Sequence, residues 1–89
     1  MFIWDSNKNK LNIEKHKLSF EDAQYVFNDS SFKSFVDTKR DYGEKRFIGF
    51  AEMEGMLFSV SYTIRNEMIR IISFRKARQR ELNKYINEG

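Results

Sequence analysis

The spacing of apolar and polar residues predicts two helices in the first third of the chain. Residues 1–4 form a short apolar run that is typical of a strand or an N-terminal anchor. An Asp-Ser pair then offers an N-cap for a helix over residues 7–16, which has few apolar side chains and should lie on the surface. A second helix begins at Ser19, and its apolar residues from Phe20 to Phe27 recur at helical spacing. We expect this second helix to pack on the core.

From residue 32 the apolar spacing shifts toward a period of two, which is typical of strands. The alternation is clearest where Phe58, Val60 and Tyr62 are separated by small hydroxylated residues. The predicted elements are strands at 32–37, 46–51, 57–63 and 68–74, and a last helix that begins near residue 75 or 76 and ends at about 86. We therefore expect a single α+β domain over residues 1–89, with a small antiparallel sheet, two N-terminal helices and a C-terminal helix.

The composition of the chain limits the kinds of cofactor and cellular location that we expect. The 89 residues include no Cys and one His, which argues against disulfides, thiolate chemistry and a zinc site, so we expect no metal and no cofactor. No apolar run approaches the ~20 residues of a membrane span, and no signal peptide is apparent. These features predict a soluble, cytoplasmic protein with no membrane partner.

Positive charge is concentrated near the C-terminus. Residues 65–80 hold six basic side chains against one acid, Glu67, although the net charge of the whole chain is only +3. Arginines held by a strand end and a helix start suit a polyanion such as phosphate. A solvated surface is the simpler alternative. The six residues are Arg65, Arg70, Arg75, Lys76, Arg78 and Arg80.

Short motifs are spread along nearly the whole chain: Phe2-Ile3-Trp4-Asp5, Lys8, Asn12, Lys15-His16, Ser19 to Ala23, Gly43 to Arg46, Tyr62 to Arg65 and Arg70 to Ala77, followed by Glu81 and Tyr85. Together, and in this order, they resemble the motifs of the BrnT toxins. Two positions depart from the family pattern. Lys17 stands where the family commonly has Gly, and Phe74 stands where a small residue is usual. We expect the first to alter a turn and the second to place a large ring beside the arginines.

The resemblance implies a fold similar to that of the RelE ribonucleases. It also implies a ribonuclease toxin of a type II toxin–antitoxin module that shuts down translation. The implied partners are an RNA substrate and a BrnA-like antitoxin, whose DNA-binding domain represses the shared operon. Toxin and antitoxin would form a heterotetramer or a similar assembly that reaches operator DNA through the antitoxin.

RNA cleavage without a metal needs cations that stabilise charge on the phosphorane-like transition state. Arginine suits this role because its planar fork binds two phosphate oxygens. Arg65 and Arg75 are the catalytic candidates, with Lys76 as an auxiliary charge, and we expect the two arginines to converge because ends of adjacent strands lie close together. The direction in which Arg70 faces stays open, because the pair Ile71-Ile72 obscures the alternation.

Proton transfer to and from the ribose oxygens needs an acid and a base. His16 is the candidate whose ordinary pKa, near ~6.5, suits both roles, although a lone His near a helix end is more often a cap or a surface residue. Lys15 would act if neighbouring cations lowered its pKa. Glu44 is a possible base, or else only an ion-pair partner of Arg46. The residues expected to bind the RNA backbone are Lys8, Arg46, Arg70, Arg78 and Arg80.

Two alternatives to an enzyme use the same basic surface. One is a non-catalytic nucleic-acid-binding module, whose affinity would depend steeply on salt. The other is a protein-interaction module whose arginines meet an acidic antitoxin segment. Phe74 and Tyr85 would suit base stacking, although packing in the core is the favoured role for both.

Overall fold

Five strands form one sheet in the order β1-β5-β4-β3-β2. The structure is a computed structural model and describes residues 1–88. Two helices lie between the first two strands, and a third follows the last strand. The elements are β1 (Phe2–Trp4), α1 (Ser6–His16), α2 (Phe20–Asn28), β2 (Lys33–Asp37), β3 (Arg46–Met53), β4 (Met56–Arg65), β5 (Met68–Lys76) and α3 (Gln79–Glu88).

The expectation of a purely antiparallel sheet is wrong. β2 to β5 pair antiparallel, as expected for strands joined by short connections, but β1 pairs with β5 in parallel, with Phe2 opposite Ile69 and Trp4 opposite Ile71. Sequence patterns assigned no partner to the first apolar run. Its pairing is non-local, because both N-terminal helices and three strands separate β1 from β5.

The local signals at the N-terminal helices have clear structural counterparts. The Asp5 carboxylate caps α1 by accepting hydrogen bonds from the backbone N–H groups of Asn7 and Lys8, at 2.8 and 3.3 Å. Lys17 ends α1 in the left-handed conformation, with φ of 62°. Glycine adopts this conformation without the steric strain that a Cβ atom adds. Lys17 therefore occupies a backbone position that glycine would adopt with less strain.

Both faces of the sheet are covered, although unequally. α2 packs on the first face through Phe20, Ala23 and Val26, all fully buried. On the second face, Leu82 and Tyr85 of α3 pack against side chains of β2, β3 and β4. The buried side chains of β3 alternate between the two faces, with Ala51 in the first core and Ile48 and Phe50 in the second.

The last helix begins later than predicted. Arg75 and Lys76 belong to β5, which pairs with β4 up to the position where Lys76 lies opposite Phe58. The strand ladder therefore continues through the predicted helix start, and α3 begins at Gln79. Glu81 closes this start: its own N–H donates to the Arg78 carbonyl, and its carboxylate accepts from the Arg78 N–H at 2.9 Å. The carboxylate contact is the N3 half of a capping box.

Candidate functional site

Several arginine side chains lie on the second face of the sheet. Arg46, Thr63 and Arg70 lie side by side on β3, β4 and β5, while Arg75 lies opposite Ser59 near the other end of β5. Because α3 covers mainly the β2 and β3 side of this face, the β5 side stays partly open. We call this surface the arginine face; its residues are Arg46, Arg65, Arg70, Arg75, Ser61 and Ser73.

A bulge in β5 determines which way Arg70 points. Ser61 lies opposite Ser73, but the next residue, Tyr62, lies opposite Ile71, so Ile72 is an extra residue without a partner. Five positions separate Arg70 from Arg75, and regular alternation would place them on opposite faces. The extra residue shifts the alternation of side chains by one position, and both arginines therefore lie on the arginine face.

The expected convergence of Arg65 and Arg75 is wrong. Arg65 ends β4 and lies opposite Met68 at the hairpin, whereas Arg75 lies opposite Ser59. Six residues of β4 separate Arg65 from Ser59, which amounts to about 20 Å along the strand. The end of one antiparallel strand lies beside the start of the next, not beside its end. The arginines therefore form an extended strip and not a single cluster.

At the hairpin end of the strip, Glu44 joins two arginines. Its carboxylate accepts from Nε and Nη2 of Arg65 at 3.3 and 2.9 Å, and from Nε of Arg46 at 3.4 Å. The Arg46 guanidinium also lies 4.1 Å from the centroid of the Tyr42 ring. The hydrogen bond from Arg65 is the main cause that lowers the pKa of Glu44. The structure thus shows the expected ion pair of Glu44 with Arg46, and adds a second one with Arg65.

At the opposite end, Glu81 holds Arg75. Nη2 of Arg75 donates to Oε1 at 2.6 Å and Nη1 donates to Oε2 at 3.2 Å, a two-point contact between partly buried groups. The hydrogen bond from Arg75 lowers the pKa of Glu81 to about 2. Sequence reasoning missed this partner, although an acid three residues after a helix start is the usual capping-box signal. Glu81 thus caps the first turn of α3 and also orients the Arg75 guanidinium.

Arg70 lies between these two ends and differs from its neighbours. Among the side chains of residues 1–87, no carboxylate lies within ion-pair distance of its guanidinium. Its side chain is only partly exposed, and it has Thr63 beside it on β4. The Thr63 hydroxyl is already engaged, because it donates to the Lys45 carbonyl at 2.7 Å. Arg70 is therefore a partly exposed arginine whose charge is not neutralised by a neighbouring acid.

Helix α1 adds further basic groups along the edge of β5. Lys8, Lys15 and His16 line a cleft of about 230 Å³ whose β5 wall is made by Ile72 and Ser73. Burial lowers the pKa of His16, and the charges of Lys15 and Arg75 lower it further. The structure therefore brings these three α1 residues to the β5 edge of the arginine face.

Asn12 shares the polar side of α1 with Lys8 and Lys15 but has a different role. It is buried, and its side chain bonds to the backbone of Phe74 and Leu18. These contacts attach α1 to β5. Asn12 therefore positions the basic residues of the helix, and both polar atoms of its side chain take part in these contacts.

Three of the basic residues expected at the site lie away from the arginine face. Lys76 alternates to the first face, because its partner Phe58 packs against the core beneath α2. Arg78 is the exposed residue before α3. Arg80 lines a separate cleft on α3, together with Lys39.

The two aromatic candidates for base stacking are packing residues. Phe74 is 1% exposed and belongs to the core beneath α2, so the expected ring beside the arginines is wrong: alternation places it on the opposite face from Arg75. Tyr85 packs between Phe35 and Phe50, at ring-centroid distances of 5.5 and 5.8 Å. The favoured core role is confirmed for both.

Among the described side chains, those of residues 1–87, no group of three or more His, Asp or Glu is arranged to hold a metal ion. In the same part of the chain, no helix combines the length and apolar character that crossing a bilayer requires.

The fold and the arginine face define an α+β protein with a strip of basic side chains on one face of its sheet. Comparison with known families is consistent with this. The family model described as the ribonuclease toxin BrnT of type II toxin–antitoxin systems matches residues 4–81, most of the 89-residue chain. The chain belongs to the BrnT family, and membership implies a ribonuclease toxin with an antitoxin partner. A search of curated proteins found no match.

Proposed function

We propose that an RNA strand lies along the arginine face and is cleaved, without a metal ion, where this face meets the α1 cleft. The observation that carries the proposal is Arg70, an arginine in the middle of the strip whose charge is not paired among the side chains of residues 1–87. An unpaired guanidinium favours an anionic ligand, and a phosphodiester supplies two oxygens for its fork.

The reaction we propose is attack by the ribose 2′-oxygen on the adjacent phosphorus. His16 takes the proton of the 2′-hydroxyl, since its lowered pKa keeps the imidazole neutral near neutral pH. Arg70 and Arg75 stabilise the charge that develops on the phosphoryl oxygens. As the new P–O2′ bond forms, the P–O5′ bond breaks and Lys15 gives a proton to the leaving 5′-oxygen. The products are a 2′,3′-cyclic phosphate and a 5′-hydroxyl.

The other expected residues take secondary roles in this proposal. Arg46 and Arg65, held by Glu44 at the hairpin end, bind the RNA backbone at a distance from the reaction. Lys8 does the same along α1. Lys76, Arg78 and Arg80 lie outside the proposed catalytic centre, where they would act only on more distant phosphates or on the antitoxin.

We also propose that this activity inhibits translation in a cytoplasmic setting and that a BrnA-type antitoxin neutralises it, acting on operator DNA in a heterotetramer or similar complex. Family membership supports an antitoxin partner. A RelE-like fold is part of the same proposal, supported by the sheet with its C-terminal helix on one face.

The test is cleavage of RNA in EDTA by the purified protein, with product ends identified. We expect 2′,3′-cyclic phosphate ends, a loss of at least 100-fold in rate for Arg70→Ala, and partial recovery for Arg70→Lys. The matched control is Lys10→Ala, an exposed cation on the outer surface of α1. If wild type binds RNA with a steep salt dependence but leaves it intact, the non-catalytic alternative replaces this proposal. Activity only with added divalent ions would overturn the metal-independent mechanism.

A further inference from the structure

A second basic cleft lies on α3, apart from the proposed catalytic centre. Its volume is about 380 Å³, and it is lined by Lys39, Arg80, Glu81, Lys84 and Tyr85. Three of these side chains are cations and one is an acid. The acid is already neutralised, because Glu81 bonds to the Arg75 guanidinium and to the Arg78 N–H. The lining of the cleft is therefore basic on balance, although the charge of nearby Asp37 contributes to raising the pKa of both Lys39 and Tyr85.

Tyr85 gives this cleft an unused hydrogen-bond donor. Its hydroxyl is buried and has no hydrogen-bond partner among the described residues. The Lys39 ammonium lies over the ring, 5.4 Å from the centroid. Approach to the Tyr85 hydroxyl raises the pKa of Lys39, yet the two groups do not reach hydrogen-bond geometry. A buried polar group without a partner is unfavourable, so an acceptor that reached the Tyr85 hydroxyl from the cleft would be stabilised there.

The α3 cleft adjoins the arginine face through a single residue. Glu81 lines the cleft and also binds Arg75, so a strand that lies on the arginine face reaches the cleft by passing over this ion pair. An anion that extends beyond Arg75 would next meet Lys39 and Lys84. This continuity favours a phosphate of the same RNA strand over a separate ligand.

We propose that the α3 cleft is a phosphate subsite that binds the RNA strand beyond the cleaved bond. Lys39, Arg80 and Lys84 supply the charge, and the Tyr85 hydroxyl donates to a phosphate oxygen. The subsite rests on the proposed ribonuclease function, and it predicts that longer substrates bind more tightly than short ones.

The test uses two kinds of RNA. A fluorescein-labelled 12-nucleotide 2′-O-methyl RNA of mixed sequence measures binding without cleavage, because the attacking 2′-hydroxyl is blocked. Unmodified RNAs of 12 and 3 nucleotides measure turnover. The variant is Lys39→Ala with Lys84→Ala, and the control is Lys10→Ala with Lys33→Ala, which removes the same charge from exposed positions outside both clefts.

We expect the cleft variant to bind the 12-nucleotide probe about 10-fold more weakly than wild type. The slope of log affinity against log salt should fall by about 0.7 for each phosphate that the variant no longer neutralises. KM should rise for the 12-nucleotide RNA, with kcat unchanged and no effect on the 3-nucleotide RNA. Tyr85→Phe, which keeps the ring in the core, should weaken binding about 3-fold without loss of stability.

Equal weakening by the cleft variant and its control would overturn the subsite, because it would reflect overall charge alone. Unchanged RNA binding with abolished antitoxin binding would overturn it too, and would assign the cleft to the protein partner. The two proposals fail separately. If the wild-type protein binds RNA through the cleft but does not cleave it, only the ribonuclease function is contradicted. If the protein cleaves RNA and the substitutions at Lys39 and Lys84 have no effect, only the subsite is contradicted.

Discussion

The side-chain amide of Asn12 bonds to the backbone of Phe74 at both of its polar groups. Nδ2 donates to the Phe74 carbonyl at 2.8 Å, and Oδ1 accepts from the Phe74 N–H at 3.1 Å. β1 pairs with β5 only as far as Ile71, so this amide takes the place of a neighbouring strand for the part of β5 that follows. The contact joins α1, with His16 and Lys15, to the strand that carries Arg70 and Arg75.

Asn12→Ala should lower the free energy of unfolding by about 2–4 kcal/mol, since it leaves two backbone groups of Phe74 buried without partners. Urea denaturation at constant pH measures the decrease. Asn7→Ala is the matched control on the same helix, because the exposed Asn7 contributes only its backbone to the cap. Equal decreases in the two variants would mean that the bonds to Phe74 contribute little.

Stability at acid pH should depend on Glu81. Its pKa falls from 4.5 to about 2 in the folded protein, so its contribution is complete above about pH 4.5 and is lost as the pH falls toward 2. After allowance for partial exposure, we expect this loss to be about 1–2 kcal/mol. Glu81→Gln should flatten the fall in unfolding free energy between pH 5 and 2, whereas Glu14→Gln, at an exposed position, should not. Parallel curves for wild type and Glu81→Gln would contradict the prediction.

If His16 is the general base, the rate of RNA cleavage should rise with pH through the His16 pKa, with a midpoint below the ordinary 6.5. Arg75→Gln removes one of the charges that lower this pKa, so the midpoint should move upward as the overall rate falls. Arg65→Gln removes a charge about 20 Å along the strand and should leave the midpoint in place. The measurement is the pH profile of kcat/KM. If the midpoint is the same in Arg75→Gln and in the wild-type protein, His16 is excluded as the titrating base.

Gly49 should not tolerate a side chain. A Cβ atom at this position on β3 would clash with the Phe32 ring and approach Val60 to 3.4 Å. Gly49→Ala should therefore destabilise the protein by about 1–3 kcal/mol. Combining it with Phe32→Leu makes room for the methyl group, so the double variant should be destabilised by less than the sum of the two single variants. Thermal unfolding of the four proteins in this cycle gives the coupling, and strict additivity would show that the ring is not the obstacle.

The family and most of the helices and strands could be predicted from the sequence, because they depend on local patterns. The helical spacing from Phe20 to Phe27 and the alternation around Val60 each report on a few neighbouring residues. The caps at Asp5 and Ser19 are also local, since a side chain there bonds to N–H groups two or three positions ahead.

The arrangement of the site was decided by contacts between distant parts of the chain. The face of the sheet on which Arg70 lies depends on a bulge that exists only when β4 pairs with β5. The acidic partner of Arg75 comes from the helix that follows β5. Likewise, Asn12 has the same spacing as Lys8 and Lys15 but is buried, because Phe74 lies 62 positions away in sequence and adjacent in space. Residue types and order determined that this chain is a basic α+β toxin of the BrnT family. Strand register and helix docking alone determined which cations share a face, because each contact depends on where a distant segment lies.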